Sequence, residues 1–149
     1  MTTINTYLTF NGNCEEAFNF YKSVFGGEFK LIEKYKDMPE NPKFPLAESD
    51  REKILHISFP ISEGSVLMGS DTGGEWAENY LQGNNFSISI NTDSKEEADR
   101  LFNNLSKDGK VIMPIDKTFW DSYFGMFTDK FGIQWMVSFD DINRKKQKV

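Results

Sequence analysis

NFSISINTDSKEEADRLF, residues 85–102, changes its hydrophobic period halfway along. Phe86, Ile88 and Ile90 alternate with Asn85, Ser87, Ser89 and Asn91, the period of two expected of a half-buried strand over 85–92. From Asp93 or Ser94 onward, Ala98, Leu101, Phe102 and Leu105 recur at helical spacing, and Gly109 is the expected stop. The same change of period occurs near the start, in TYLTFNGNCEEAFNFYKSVFGG at residues 6–27. A strand over Ile4 to Phe10 runs into the turn residues Asn11, Gly12 and Asn13. Ala17, Phe18, Tyr21, Val24 and Phe25 then mark a helix that Gly26 and Gly27 end. Asn13 is the expected N-cap of that helix, with Glu16 completing a capping box.

Working outward, Phe29 to Tyr35 reads as a strand and Lys36 to Glu52, with Pro39, Pro42 and Pro45, as a long irregular loop. Lys53 to Pro60 and Ser65 to Ser70 read as a hairpin turning at Gly64. After the second helix come strands at Lys110 to Ile115, Ser122 to Thr128 and Ile133 to Phe139. Each half is therefore strand, helix and three strands, and the order repeats. Glu96, Glu97 and Ala98 fall on Glu15, Glu16 and Ala17 at an offset of 81, and IQWMVS falls on SVLMGS at an offset of 68. The proline-rich loop, which the second half lacks, accounts for the difference. The expected organisation is one domain over 1–142, its modules spanning about 3–70 and 84–140, followed by a basic tail at 143–149.

The 149 residues suit one domain, and 38% hydrophobic content with 14 Phe can fill a core. A formal net charge of −6 lacks the basic footprint of a nucleic-acid binder. The single Cys and the absence of an apolar run after Met1 point to a reduced, cytoplasmic setting. The longest mostly apolar stretch, near Ile54 to Ile61, is far shorter than a membrane helix requires, so neither a membrane nor a nucleic acid is an expected partner.

With this organisation the chain resembles the vicinal oxygen chelate superfamily, the glyoxalase and bleomycin-resistance fold. The resemblance spans roughly Ile4 to Asp140. It is strongest for the PhnB-like branch, through YLTFNGNCEEAFNFYKSVFGG (Tyr7 to Gly27), GNNFSISINTDSKEEADRLF (Gly83 to Phe102) and TFWDSYFGMFTDKFGIQWM (Thr118 to Met136). The resemblance implies an α+β fold in which tandem βαβββ modules curve a mixed sheet around a cavity, with the helices outside. That branch often carries a methyltransferase label, but no Gly-rich strand-to-helix turn with a downstream acid is present here to hold an adenosyl cofactor. Enzymes of the superfamily hold a divalent metal with His and Glu from the first and last strands of each module. Those positions correspond to Thr6, Met68, Ser87 and Met136, to within one residue on the first and fifth strands. Hydroxyls and thioethers are poor ligands for such ions, so no metal, cofactor or catalytic residue is expected.

Individual residues support a binding site rather than a reaction. His56, the only histidine, can be a structural strand residue or a cavity contact with a proton to exchange. Cys14, in the first helical turn, has the dipole a reactive thiol needs but no partner, and reads as a plain helix-start residue. Trp120, Tyr123 and Phe124 offer flat faces, Ser87 and Ser89 offer hydroxyls, and Met68 and Met136 offer adaptable walls. Glu48, Asp50 and Glu52 read as a solvated edge more readily than as a cation trap. No paired carboxylates, Ser-His-Asp set or phosphate loop supports hydrolase or kinase chemistry. The expected protein is a metal-free small-molecule binder with Thr6, His56, Met68, Ser87, Ser89, Trp120, Tyr123, Phe124 and Met136 around its ligand. A homodimer is expected from the resemblance and from spare apolar residues at Phe44, Leu46 and Trp76. The alternative is a glyoxalase-like lyase, isomerase or dioxygenase whose ion is held by His56 and loop carboxylates.

Overall fold

The computed structural model describes residues 1–43 and 45–140, and the backbone alone at 75 and 76. The expectations placed on Phe44, on the Trp76 side chain and on the tail at 143–149 lie outside the described residues. The chain forms two compact units, Met1–Leu81 and Gln82–Val149.

The first unit runs β1 (Thr6–Phe10), α1 (Cys14–Phe25), β2 (Leu31–Lys34), β3 (Ile54–Ser62) and β4 (Ser65–Asp71). The second runs β5 (Ile88–Thr92), α2 (Lys95–Leu105), β6 (Lys110–Lys117), β7 (Tyr123–Thr128) and β8 (Gln134–Phe139). Each makes its own open four-stranded mixed sheet, in the orders β1-β4-β3-β2 and β5-β8-β7-β6. The first strand lies parallel to the last in both, and the other neighbours are antiparallel. The repeated βαβββ order therefore holds at the level of strand pairing. The Ile57 and Gly69 pair of the first sheet recurs as Gly125 and Val137 in the second, 68 residues on. Among the described residues no helix is long and apolar enough to cross a membrane.

One face of each sheet carries its helix. In the first unit, Leu8, Phe10, Ile57, Phe59 and Leu67 are buried, as are Ala17, Phe18, Tyr21 and Val24 of α1. Phe18 meets Phe10 edge-on at 6.2 Å between ring centres. It comes so near β4 that a Cβ on Gly69 would lie 2.7 Å from its ring and 2.8 Å from the Leu8 carbonyl. In the second unit Phe102 of α2 packs edge-on against Phe127 at 5.1 Å, and a Cβ on Gly125 would lie 2.6 Å from the Phe102 ring. Both sheets thus leave a notch for a helical Phe in the same row, one on β4 and the other on β7.

Two helix ends differ from expectation. Asn13 is the N-cap of α1 but its side chain makes no capping hydrogen bond. The amides of Gly12 and Cys14 instead donate to Asp71 Oδ1, both at 2.9 Å, and Ile54 N donates to Asp71 Oδ2 at 2.9 Å. The cap comes from the end of β4, so no local pattern announces it. The other helix, α2, stops at Leu105, well before Gly109. Gly109 serves a close approach rather than a helix stop, since a Cβ there would lie 2.2 Å from the Thr128 carbonyl. The long loop is tied down at Asp50, which is buried, accepts from Gly74 N at 3.1 Å and pairs with Lys53 at 2.8 Å. That lysine bond holds the Asp50 carboxyl below its ordinary range.

Candidate functional site

Alternation along each strand sends every second side chain to the face opposite the helix, and in-register residues share a face. In the first unit Leu8 and Phe10 turn toward α1, so Tyr7 and Thr9 turn away. The register then sets Tyr7 beside Met68, Met68 beside Ser58, and Ser58 beside Leu31, one row across the whole sheet. His56 lies two residues along β3 on the same face, with Glu33 as its cross-strand partner. Tyr7 reaches it diagonally. The rings stack at 5.7 Å with 24° between their planes, and the Tyr7 hydroxyl lies 3.3 Å from His56 Nδ1. Tyr7 remains 46% exposed.

The second unit has the matching row: Ser89 beside Met136, Met136 beside Met126, and Met126 beside Met113. Three thioethers from adjacent strands make an apolar, polarizable strip that adapts its shape. The next row holds Asn91, Ser138, Phe124 and Asp116. Ser138 donates to Asn91 Oδ1 at 2.6 Å. Phe124 meets Trp120 at 5.9 Å, and Trp120 meets Phe119 edge-on at 4.9 Å. The tight loop bearing both is closed where Thr118 N and Ser122 O bond at 2.8 Å.

These rows place the residues read from the sequence. Met68, His56, Ser89, Phe124 and Met136 lie on the sheet faces opposite the helices, with Trp120 meeting Phe124 on one of them. Ser87 precedes β5 and is half-buried. Thr6 pairs with Leu67, so the β1 residue beside Met68 is Tyr7, one position on. Tyr123 belongs to the helix side. Its hydroxyl donates to Asp99 of α2 and the Lys95 ammonium sits 5.0 Å over its ring, an arrangement in which burial first and Asp99 second push the phenol up to about 12. Tyr7, Ser58, Met113 and Met126 were missed. Parity would have found Tyr7, since buried apolar residues at 8 and 10 send 7 and 9 to the other face.

Three further readings concern chemistry. Cys14 is fully buried, and burial, with Asp71 and Glu15, raises its thiol well above the ordinary range, so it stays protonated. The acidic run meets its own cations: Glu48 with Arg51 at 3.9 Å, and Glu52 with Lys36 at 2.7 Å and Lys34 at 3.0 Å. At the in-register positions on the first and last strands, Tyr7 and Met68 in one unit and Ser89 and Met136 in the other, the donors do not fit a hard or borderline divalent ion. Among the described residues, no three or more His, Cys, Asp or Glu gather where they could hold one.

Residues 2–138 match the family model described as 3-demethylubiquinone-9 3-methyltransferase. The chain is 32% identical over 142 residues to Protein YjdN of Escherichia coli, covering 91% of this chain and 93% of that protein. The crystal structure of protein PA1353 from Pseudomonas aeruginosa is 41% identical, with a TM-score of 0.80 over 94% of this chain and 98% of that one. A putative 3-demethylubiquinone-9 3-methyltransferase, the PhnB protein of Bacillus cereus, is 27% identical with a TM-score of 0.72 over 93% and 99%. At 10% identity, a glyoxylase/bleomycin resistance protein/dioxygenase domain from Frankia shares the fold alone, with a TM-score of 0.66 over 100% and 98%.

Proposed function

Because the chain belongs to the PhnB-like, 3-demethylubiquinone-9 3-methyltransferase-like family of the glyoxalase/bleomycin resistance/dioxygenase superfamily, we propose that it binds a small organic molecule without a metal. The observation that carries this reading is the composition of the sheet faces opposite the helices: Tyr7, His56 and Met68 on one, and Met113, Met126, Met136 and Phe124 on the other. Such faces combine apolar area with a few polar groups, the usual make-up of a ligand site. The methyl-transfer label gains no support from the chain itself. In the described residues the turn from β1 to α1 is Asn11, Gly12 and Asn13, too poor in Gly to cradle a nucleotide-like cofactor. The protein acts in the cytoplasm as a homodimer in this reading.

Thermal-shift screening of the purified protein tests it. A ligand that prefers the folded form raises the unfolding midpoint by an amount set by its concentration over its Kd. At least one small organic compound is expected to do so in metal-free buffer. Near-stoichiometric nickel, zinc, iron or manganese in the purified protein, with a turnover lost on its removal, would overturn the metal-free reading. A library with no stabiliser would overturn ligand binding altogether.

A further inference from the structure

We propose that Tyr7 and His56 form a proton-accepting pair that takes the proton of a phenolic or enolic ligand and binds it as the anion. The inference rests on the small-molecule reading and specifies the chemistry of the first sheet's face opposite α1.

The geometry is of a pair rather than of two neighbours. His56 and Tyr7 come from strands that flank β4, yet their rings stack and the hydroxyl lies 3.3 Å from Nδ1. When Nε2 carries the imidazole hydrogen, the Tyr7 hydroxyl donates to Nδ1 and its oxygen is left to accept from a ligand O–H. The ligand proton moves to the Tyr7 oxygen as the Tyr7 proton moves to Nδ1, the electron pair of the broken ligand O–H bond stays on the ligand oxygen, and the re-formed Tyr7 hydroxyl donates to the resulting oxyanion. His56 becomes an imidazolium that donates from Nδ1 to Tyr7. No other reactant is needed.

The surroundings suit an aromatic ligand. Met68 shares a row with Tyr7, and Leu31 closes the far end of that row while remaining 42% exposed. Thioether, alkyl and ring surfaces favour a flat apolar body. Across β2 and β3, Glu33 is the one carboxylate registered with His56, and it supplies negative charge beside the imidazolium once formed. On β4 the residues of this face, Met68 and Ser70, do not titrate; at the end of β2, Lys34 is registered with Ile54 and engaged by Glu52 at 3.0 Å, and the Tyr35 phenol interacts electrostatically with Tyr7.

4-Nitrophenol is the probe, because its phenolate is yellow and its phenol is not. Titrated into the protein below its own pKa, it should show about a tenfold rise in the phenolate-to-phenol ratio on binding, the effect of one unit of pKa. His56→Gln should abolish that rise, and Tyr7→Phe should shrink it while dye still binds. Since the protein has one histidine, its imidazole nitrogens are also readable by NMR in the unaltered chain, and they should report an imidazolium when the dye is bound. Dye that binds with its ionisation unchanged, a rise that survives in His56→Gln, or an imidazole that stays neutral would overturn the proposal. So would the absence of dye binding while other compounds stabilise the protein, an outcome that leaves the broader ligand-binding reading standing. If nothing at all stabilises it, both fail.

Discussion

Asp71 shows how much a single side chain can hold. Its carboxylate accepts three backbone N–H groups, from the turn before α1, the first residue of α1 and the first residue of β3, and it is 3% exposed. Asp71→Ala would leave those donors buried without partners, each a loss of about 1–3 kcal/mol. The expected outcome is a lowering of unfolding free energy by more than about 3 kcal/mol, read from urea denaturation. Tyr123 makes a pH-dependent contribution. Its phenol is raised above the unfolded value of about 10 to about 12, so its stabilisation is fully present below pH about 10 and is lost as pH rises toward 12. Stability measured across that window should fall more steeply in the native protein than in Tyr123→Phe. In the native state Cys14 should resist a water-soluble disulfide reagent and react once urea unfolds the chain, because its sulfur is buried and protonated.

Between residues, the helix-to-sheet notch governs how each element seats. Gly69 and Gly125 occupy one row of the two sheets but on different strands, so the repeat preserves the space for a helical Phe and not the letter that makes it. Gly69→Ala is expected to push α1 off β4 and cost about 1–3 kcal/mol, as overpacking does; an unchanged thermal midpoint would refute the notch. The caps differ in the same spirit. Helix α2 starts with Ser94 accepting from Glu97 N at 3.1 Å, and Ser94→Ala should cost about 1 kcal/mol. The start of α1 depends on Asp71 instead. Local signals put the start of α2 at Asp93 or Ser94, where Ser94 acts on its own helix, and missed α1's cap because the acceptor arrives from 57 residues away.

For the molecule as a whole, the sheet faces opposite the helices are where we propose function. In the homodimer we propose, light scattering should report twice the chain mass; a single-chain mass would remove it. The twofold change from a period of two to 3.6 was enough to read the repeated order of strand, helix and three strands, since it follows from which residues must leave water; the α+β class came with the resemblance. Met68, Met136 and His56 became candidates through the resemblance, Phe124 through its aromatic-dense stretch, and Ser89 through the polar face of its strand. What the letters left undecided was pairing. The choice of Tyr7 over Thr6 beside Met68, the alignment of Met113 with Met126 and Met136, and the loss of Tyr123 to Asp99 all depend on register between strands far apart in the chain. Register is set by how a whole sheet packs against its helix, and no local stretch of sequence carries that information.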